Sequence, residues 1–230
     1  MFNRLIALME EPDRKSLVAN FEPVELPRLF EMAEPNKAAK YSFFLESGIG
    51  SVVAVSPAGH EVEVAIFGRE GMSPPNSLFE DDQAPFKVFM QVEGKGNRIL
   101  NDHLFEALAA SRALRKILSR YAQALFVQTS FTALSNTTHS VEKRLARWLL
   151  MVHDRTAGNE LPVTHEFLGA MLNVRRQSVT TSLHQLEGDH LVYSSRGLVT
   201  IRDRKRLEAF AGEAYGLAET EFCRLIGSMG

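Results

Sequence analysis

Residues 164–187 read THEFLGAMLNVRRQSVTTSLHQLE, and the spacing of a few residues in this stretch decides the fold of the C-terminal half. Thr164 can cap a helix, because its side-chain oxygen can accept a hydrogen bond from the first turn. Gly169 lies inside that helix, where glycine costs about 1 kcal/mol relative to alanine, so the close approach of a second helix is expected there. Asn173 tolerates the left-handed conformation of a tight turn, and Val179 follows ten residues after Gly169. This spacing of a small, a turn-forming and an aliphatic residue predicts a helix-turn-helix.

The second helix of this motif has an apolar inner face and a polar outer face. Val179, Leu183 and Leu186 recur at helical spacing and are expected to face inward. Arginine and glutamine at the start of such a helix can bond guanine and adenine edges, each pair worth about 1–3 kcal/mol of discrimination. A solvated helix face with adventitious charge is the alternative. The predicted DNA-binding residues on or beside the outer face are Arg175, Arg176, Gln177, Thr180, Thr181 and His184.

Charge is unevenly distributed along a chain whose formal net charge is only −2. Residues 137–207 contain eleven Lys or Arg and seven acidic residues, which leaves +4 on this segment and −6 on the rest. A basic module on an acidic body is typical of a protein that neutralises a few DNA phosphates. Further candidate DNA contacts are Thr164, Lys143 and Arg196, although Arg196, between two predicted wing strands, could equally be a solvated turn residue.

A long helical region precedes this domain, since residues 101–153 contain neither proline nor glycine. Its apolar stripe could pack on the chain's own barrel. A parallel seam between two subunits is the favoured interpretation, because the helix is longer than a barrel of about 80 residues could cover. The predicted seam, with alternating steps of four and three, consists of Leu114, Leu118, Tyr121, Leu125, Gln128, Thr132 and Ser135.

Residues 135–138 read SNTT and predict a polar break with cap-type residues. We place a hinge there. A switch is then expected in which a change in the barrel alters how two long helices lie together and sets the separation of the recognition helices.

The region between about residues 21 and 100 has period-two alternation with frequent breakers, which predicts antiparallel strands in a small barrel or roll. One alternation sets Val62, Val64 and Ile66 against Glu61, Glu63 and Ala65. Residues 57–60 and 94–96 are expected to be the turns of hairpins.

Cys223 is the only cysteine, which excludes an intramolecular disulfide and a thiolate cage for a metal and suggests a reducing, cytoplasmic environment. No apolar run approaches the roughly 18 residues needed to cross a bilayer, so no membrane partner is expected. The N-terminus lacks the features of a secretory signal.

The segment LGAMLNVRRQSVTTSLHQLEGDHLV, the wing-like YSSRGLVTI and the strand-rich YSFFLESGIGSVVAV and EVEVAIFGREGM together resemble the CRP/FNR family of bacterial transcription regulators. The resemblance implies an α+β fold with an N-terminal antiparallel β-roll (a double-stranded β-helix), a long dimerisation helix and a C-terminal winged helix-turn-helix. The expected segments are residues 1–108, 109–136 and 137–230.

The resemblance also implies how the protein binds DNA. A homodimer would place paired recognition helices in successive major grooves about 34 Å apart on a near-palindromic operator. Arg176, Gln177 and Thr181 match the family's principal base-contacting positions. RNA polymerase is a further candidate partner.

No cofactor is predicted. Where nucleotide-binding members have a glycine–glutamate turn and an arginine, this chain has residues 68–71 (GREG) and only Lys87 as a base between residues 73 and 93. A cyclic phosphate would lack its arginine clamp and would be repelled by the acidic residues 80–82, so weak or no binding of cAMP and cGMP is expected. An iron–sulfur cluster lacks its cysteines, and haem ligation by His60 or His103 is disfavoured because His60 falls in a hairpin turn.

Two other function classes compete with DNA binding. A metal enzyme of the barrel type needs clustered histidines, but only His60 precedes residue 103. A winged helix that binds protein should carry apolar residues on its outer face, where this chain has Arg, Gln and Thr. The sequence therefore predicts a non-enzymatic DNA-binding regulator.

Overall fold

The computed structural model of the chain describes residues 3–228. Within these residues, ten strands lie between residues 22 and 100, and a smaller sheet lies near the C-terminus. The helices are α1 (Arg4–Ala7), α2 (Glu11–Val18), α3 (Asn101–Ala110), α4 (Arg112–Thr138), α5 (Val141–His153), α6 (His165–Met171), α7 (Arg176–Gly188), α8 (Arg204–Ala211) and α9 (Leu217–Leu225). The strands are β1 (Glu22–Leu26), β2 (Glu31–Ala33), β3 (Lys37–Ala38), β4 (Tyr41–Leu45), β5 (Ile49–Val55), β6 (Glu61–Phe67), β7 (Met72–Ser73), β8 (Gln83–Ala84), β9 (Lys87–Val92), β10 (Gly94–Leu100), β11 (Glu160–Leu161), β12 (Val192–Ser195) and β13 (Leu198–Ile201).

The N-terminal strands form the expected antiparallel roll. One four-stranded sheet has the order β1-β10-β4-β7 and the other β2-β9-β5-β6. Side chains from both sheets, including Phe43 and Val88, share one buried core. The turn between β5 and β6 leaves His60 exposed, as predicted.

The alternation in β6 predicts that Val62 and Val64 face the core, but the structure buries the opposite face of the strand more completely. Val62 and Val64 are half-buried, whereas Glu63 and Ala65 are fully buried. Of the set Glu61, Glu63 and Ala65, only Glu61 faces solvent, because α5 and α6 of the C-terminal half cover the side of the roll on which Glu63 lies.

The segment 94–96 is not a hairpin turn, contrary to the prediction. Gly94 starts β10, which pairs with β1 and β4, whereas the preceding β9 pairs with β2 and β5, so the chain crosses between sheets here. A Cβ on Gly94 would lie 2.1 Å from the Ser47 carbonyl oxygen, and one on Gly96 would lie 2.4 Å from that of Phe44. These glycines permit close strand packing rather than a turn.

The predicted subunit seam on α4 is wrong, because this face packs within one chain. Tyr121 is 2% exposed, and its hydroxyl donates to the Met72 carbonyl at 3.0 Å. Gln128 accepts from Ile66 N at 2.7 Å and donates to Ile66 O at 3.1 Å. β6 is an edge strand whose backbone groups need partners, and Gln128 supplies them. The residues of this face that are buried in the single chain are Leu114, Leu118, Tyr121, Leu125, Gln128 and Ser135, and Thr132 is half-buried beside Arg147.

The predicted break at residues 135–138 lies inside α4, and the helix ends only at Thr138. The hydroxyls of Thr137 and Thr138 donate back to the Leu134 carbonyl at 2.9 and 2.8 Å, so these residues do not cap a new helix. The break falls at residues 139–140, where Ser140 caps α5 by accepting from Lys143 N.

The C-terminal half is a helical core with a three-stranded sheet in the order β11-β13-β12. The strand pair β12–β13 confirms the predicted wing. β11 was not expected from the sequence. Ile49 and Ile66 of the roll lie in the same buried cluster as Leu145 and Leu149 of α5, so the roll and the C-terminal half share one core.

Helix α9 returns to the N-terminal part of the molecule and packs along α4. Its residues Phe222 and Leu225 lie in one buried cluster with Leu118 of α4 and Leu5 of α1. Among the described residues, no helix has the length and apolarity that crossing a membrane requires.

Candidate nucleic-acid interface

The corner between α6 and α7 is built by the four residues that decide the sequence pattern. Thr164 accepts from Phe167 N at 3.2 Å and caps α6. A Cβ on Gly169 would lie 2.9 Å from the Val174 carbonyl oxygen, so only glycine allows the turn to approach this closely. Asn173 has φ +51°, and Val179 is fully buried. The predicted helix-turn-helix geometry is confirmed at each of these positions.

The outer face of α7 presents the predicted polar residues to solvent. Arg175, Arg176, Gln177, Thr181 and His184 are all exposed. Within residues 3–228, neither Arg175 nor Arg176 forms an ion pair. Both guanidinium groups therefore keep their hydrogen-bond donors available for a polyanion.

Thr180 differs from its neighbours because it is half-buried and its hydroxyl is engaged. The Thr180 Oγ1 atom lies 2.9 Å from His165 Nδ1 and donates to the Arg176 carbonyl at 3.2 Å. Thr180 thus contacts α6, and its hydroxyl proton is not free to reach a base. Thr181 Oγ1 donates to the Gln177 carbonyl at 3.1 Å, which leaves its oxygen lone pairs exposed as acceptors.

The remaining predicted contacts lie on elements beside α7. Arg196 is exposed in the turn of the wing, next to Gly197 with φ +76°. Lys143 is half-buried in the first turn of α5. That turn adjoins α7, since Ser182 Oγ donates to Glu142 at 3.1 Å. Thr164 is exposed at the start of α6.

A buried carboxyl group at the boundary of the roll and α5 was missed by sequence reasoning. Glu63 accepts hydrogen bonds from Trp148 Nε1 at 2.7 Å, Ser51 Oγ at 2.6 Å and Gln91 Nε2 at 3.2 Å. Burial raises the pKa of Glu63 to about 7, although the hydrogen bonds from Ser51 and Trp148 oppose the shift. A polar position in an alternating strand gave no signal of this role.

A buried ion pair forms the second polar link between the same two parts. Arg155 Nε donates to Glu70 Oε1 at 2.8 Å, and both side chains are 2% exposed. Glu70 also accepts from Gly68 N at 3.1 Å, and Arg155 donates to the Met151 carbonyl at 2.7 Å. Arg155, in the turn two residues after α5, carries no sequence signal that distinguishes it from an exposed arginine.

Comparison with protein families and solved structures agrees with this geometry. The model of the Crp-like helix-turn-helix domain matches residues 143–210. No curated protein sequence matches the chain.

Three solved structures illustrate the likeness of the fold. A transcriptional regulator of the crp/fnr family from Eubacterium rectale is 21% identical with a TM-score of 0.69, covering 90% of this chain and 97% of that one. FixK2 from Bradyrhizobium japonicum is 13% identical with a TM-score of 0.72, covering 85% and 99%. A CRP-family transcriptional regulator from Thermus thermophilus is 19% identical with a TM-score of 0.70, covering 84% and 98%.

The resemblance on which the sequence prediction drew is thus confirmed. Residues 143–210 match the Crp-like helix-turn-helix domain, and 84–90% of the chain has the fold seen in these solved CRP/FNR structures.

Proposed function

We propose, from the premise that this chain combines a Crp-like helix-turn-helix domain with a CRP/FNR fold, that it regulates transcription as a homodimer bound to a near-palindromic operator. Residues Arg176, Gln177 and Thr181 would read bases, and Arg175 and Lys143 would contact phosphates. The protein would act where DNA is present, in the cytoplasm.

One observation carries the proposal of DNA recognition. The exposed face at the start of α7 has one glutamine and two arginines, and neither arginine has an ion-pair partner among the described residues. The Gly169–Asn173 corner sets the position of this helix. A surface for protein would instead be expected to carry apolar anchors there. Among the described residues of the wing strand β12, the only exposed large aromatic side chain is Tyr193.

Selection of bound fragments from random-sequence duplexes tests this function. Purified protein should enrich a motif with two inverted half-sites, because a two-fold dimer presents two identical recognition helices. Enrichment of a single half-site would contradict the homodimer, and failure to enrich any motif would contradict sequence-specific recognition.

For the homodimer we propose the face of α4 that points away from the roll. It repeats with the same steps of four and three as the buried face. Phe126 on this face is 71% exposed, and Phe79 beside it is 70% exposed. The residues of this outer stripe are Ser119, Gln123, Phe126, Ser130, Ala133 and Thr137, all of them exposed.

An apolar groove continues the outer stripe. It has a volume of about 460 Å³ and is lined by Val64, Phe79, Phe86, Ala122 and Phe126, among others. The exposed rings of Phe126 and Phe79 and the apolar groove between them favour association, and the steps of four and three in the outer stripe favour a second copy of α4 as the occupant.

The proposed regulator would not use a cyclic nucleotide as its signal. Glu70, in the turn that matches the family's glycine–glutamate position, is occupied by Arg155 and by Gly68 N. The apolar groove beside α4 has no arginine in its lining. Since these residues do not fit a cyclic phosphate, calorimetry with cAMP or cGMP should detect no binding at micromolar concentrations, and micromolar affinity would contradict this.

A signal at the roll would have to act through the boundary with α5. A hinge at residues 139–140 alone could not release the DNA-binding domain, because the Glu63–Trp148 hydrogen bond and the Glu70–Arg155 pair also hold it. We therefore place the expected switch at this boundary together with the hinge. An identical boundary and hinge in DNA-bound and free protein would contradict such a switch.

A further inference from the structure

One histidine connects the three elements that would lie against DNA. His165, in the first turn of α6, places Nδ1 2.9 Å from Thr180 Oγ1 on α7. Its Nε2 lies 3.2 Å from Ser194 Oγ on the wing strand β12. The imidazole is half-buried, so it contacts both elements and remains close to solvent.

The hydrogen bonds indicate which tautomer this ring adopts when it is neutral. Thr180 Oγ1 already donates its proton to the Arg176 carbonyl, so it accepts from His165 Nδ1–H. The other ring nitrogen, Nε2, then accepts from Ser194 Oγ–H when the ring is neutral. Ser194 is further held by its backbone N–H, which donates to Glu187 Oε1 at 2.6 Å.

The charged groups around the ring are unequal. Burial lowers the pKa of His165, and the positive charges of Arg176 and His184 lower it further, while Glu187 opposes the shift. These three residues lie on α7, and Glu166 is the acidic neighbour on α6 itself. On the wing strand, the contact is the uncharged Ser194. Burial first and the neighbouring cations second thus favour the neutral ring in the free protein.

A bound DNA backbone reverses this balance, because the negative field of phosphates lying along α7 offsets the positive charges of Arg176 and His184 that oppose protonation. A protonated Nε2–H would donate to Ser194 Oγ, and the Ser194 hydroxyl proton would then be free to donate to a phosphate oxygen. Both changes favour the imidazolium in the complex. Neither is present in the free protein, where the neutral ring is favoured.

We propose that His165 takes up a proton when the chain binds DNA, so that DNA affinity increases as the pH falls through the range in which histidine titrates. This inference rests on the proposed function. His165 is then a positioning residue with a linked charge: it holds α7 and the wing in both states, and it adds a cation only in the bound state.

The test is DNA affinity as a function of pH with the intact chain and a duplex of about 30 base pairs that carries the motif enriched in the selection from random-sequence duplexes, long enough for two half-sites. Fluorescence anisotropy between about pH 5.5 and pH 8 should show Kd rising by up to about tenfold per pH unit for each proton taken up. Calorimetry in two buffers of different ionisation enthalpy counts the protons directly.

Two substitutions at His165 separate the charge from the structural contacts. His165→Asn keeps a donor for Thr180 but cannot be protonated, so its Kd should match the wild type near pH 8, exceed it near pH 6 and vary little with pH. His165→Arg carries a fixed charge and should bind at least as tightly near pH 8 as the wild type does near pH 6. His184→Asn is the matched control, because it removes the neighbouring titratable group and should retain most of the pH dependence.

The outcomes distinguish the inference from the function that it rests on. If His165 is only structural, both His165 variants should bind DNA more weakly at every pH and should keep the wild-type dependence of Kd on pH. That result would overturn the inference but not the proposed function. Loss of the whole pH dependence in His184→Asn would also overturn it. If no duplex binds at any pH, the proposed function fails and the inference fails with it. Should either His165 variant unfold, proton uptake by the wild type and the His165 titration by NMR, in free and bound protein, still decide the question.

Discussion

The boundary between the roll and α5 and the outer face of α7 use the same residue types in opposite ways. At the boundary, Arg155 is buried and paired with Glu70. On α7, Arg176 is exposed and has no ion-pair partner within residues 3–228. The first arginine holds two parts of one chain together, whereas the second keeps its donors for another molecule. Burial and the presence of a carboxylate, rather than residue type, separate a structural arginine from a recognition arginine.

The two faces of α4 show the same contrast with apolar residues. Leu118 faces the chain's own interior and is fully buried, while Phe126 is 71% exposed. Both belong to stripes with steps of four and three. A periodic pattern therefore indicates that a face needs covering, but it does not indicate which molecule covers it.

The strongest test of the comparison is Arg155→Ala. Removing the guanidinium leaves the Glu70 carboxylate buried without its partner, which should cost about 3–5 kcal/mol of stability. Urea unfolding followed by the fluorescence of Trp148, the only tryptophan in the sequence, measures this directly at the boundary. The double variant Glu70→Leu with Arg155→Met removes both charges and should recover most of the loss. Wild-type stability of Arg155→Ala would refute the structural role.

The pH dependence of stability tests the role of Glu63 at the same boundary. Because burial raises its folded-state pKa to about 7, the folded protein keeps a proton that the unfolded chain loses near pH 4.5. The contribution of Glu63 to stability is therefore greatest below about pH 4.5 and decreases as the pH rises to about 7, by up to about 1.4 kcal/mol per pH unit.

Glu63→Gln should remove this slope, because an amide keeps the acceptor for Trp148 and has no proton to lose. Among the described residues Gln91 Oε1 has no hydrogen-bond partner, so it can accept from the new amide. Unfolding measured at about pH 5 and about pH 8 tests this, with exposed Glu61→Gln as the control. Equal slopes in Glu63→Gln and wild type would contradict the assignment.

Phe126→Glu tests whether the exposed face of α4 is covered by a second copy. A charge in the centre of the outer stripe should weaken the dimer by at least about a hundredfold, or about 2.7 kcal/mol, without unfolding the monomer. Sedimentation equilibrium measures the association, and circular dichroism checks the fold. Leu217→Glu, at a 58% exposed position on α9, is the control that should leave the association unchanged. Dimers of normal strength in Phe126→Glu would place the interface elsewhere.

Arg176→Ala has the smallest expected effect and tests the recognition side of the comparison. Stability should change by no more than about 0.5 kcal/mol, because the side chain is exposed. Preference at one base position of each half-site should decrease by about 1–3 kcal/mol. Competition binding with single-base operator variants measures this, and exposed Arg112→Ala on α4 serves as the control. Equal weakening on every sequence would instead assign Arg176 to phosphate contact.

The helix-turn-helix could be predicted because its determinants are local. Gly169 and Asn173 act through backbone conformation within ten residues of Val179, so residue type and spacing are enough to define the corner. The alternation in the strands predicted the roll for the same reason, although it could not indicate that Glu63 would be covered by α5.

Which face of each element is covered, and by what, was decided only by the tertiary structure. The sequence by itself determined the roll, the long helix, the winged helix-turn-helix and the polar edge of α7, since each follows from short-range periodicity and turn chemistry. It did not determine that Tyr121 and Gln128 would bind the chain's own roll, that α9 would return to α4, or that Arg155 would meet Glu70 across 85 positions of sequence. Those contacts join residues far apart in the chain, and their energies depend on burial that no local pattern records.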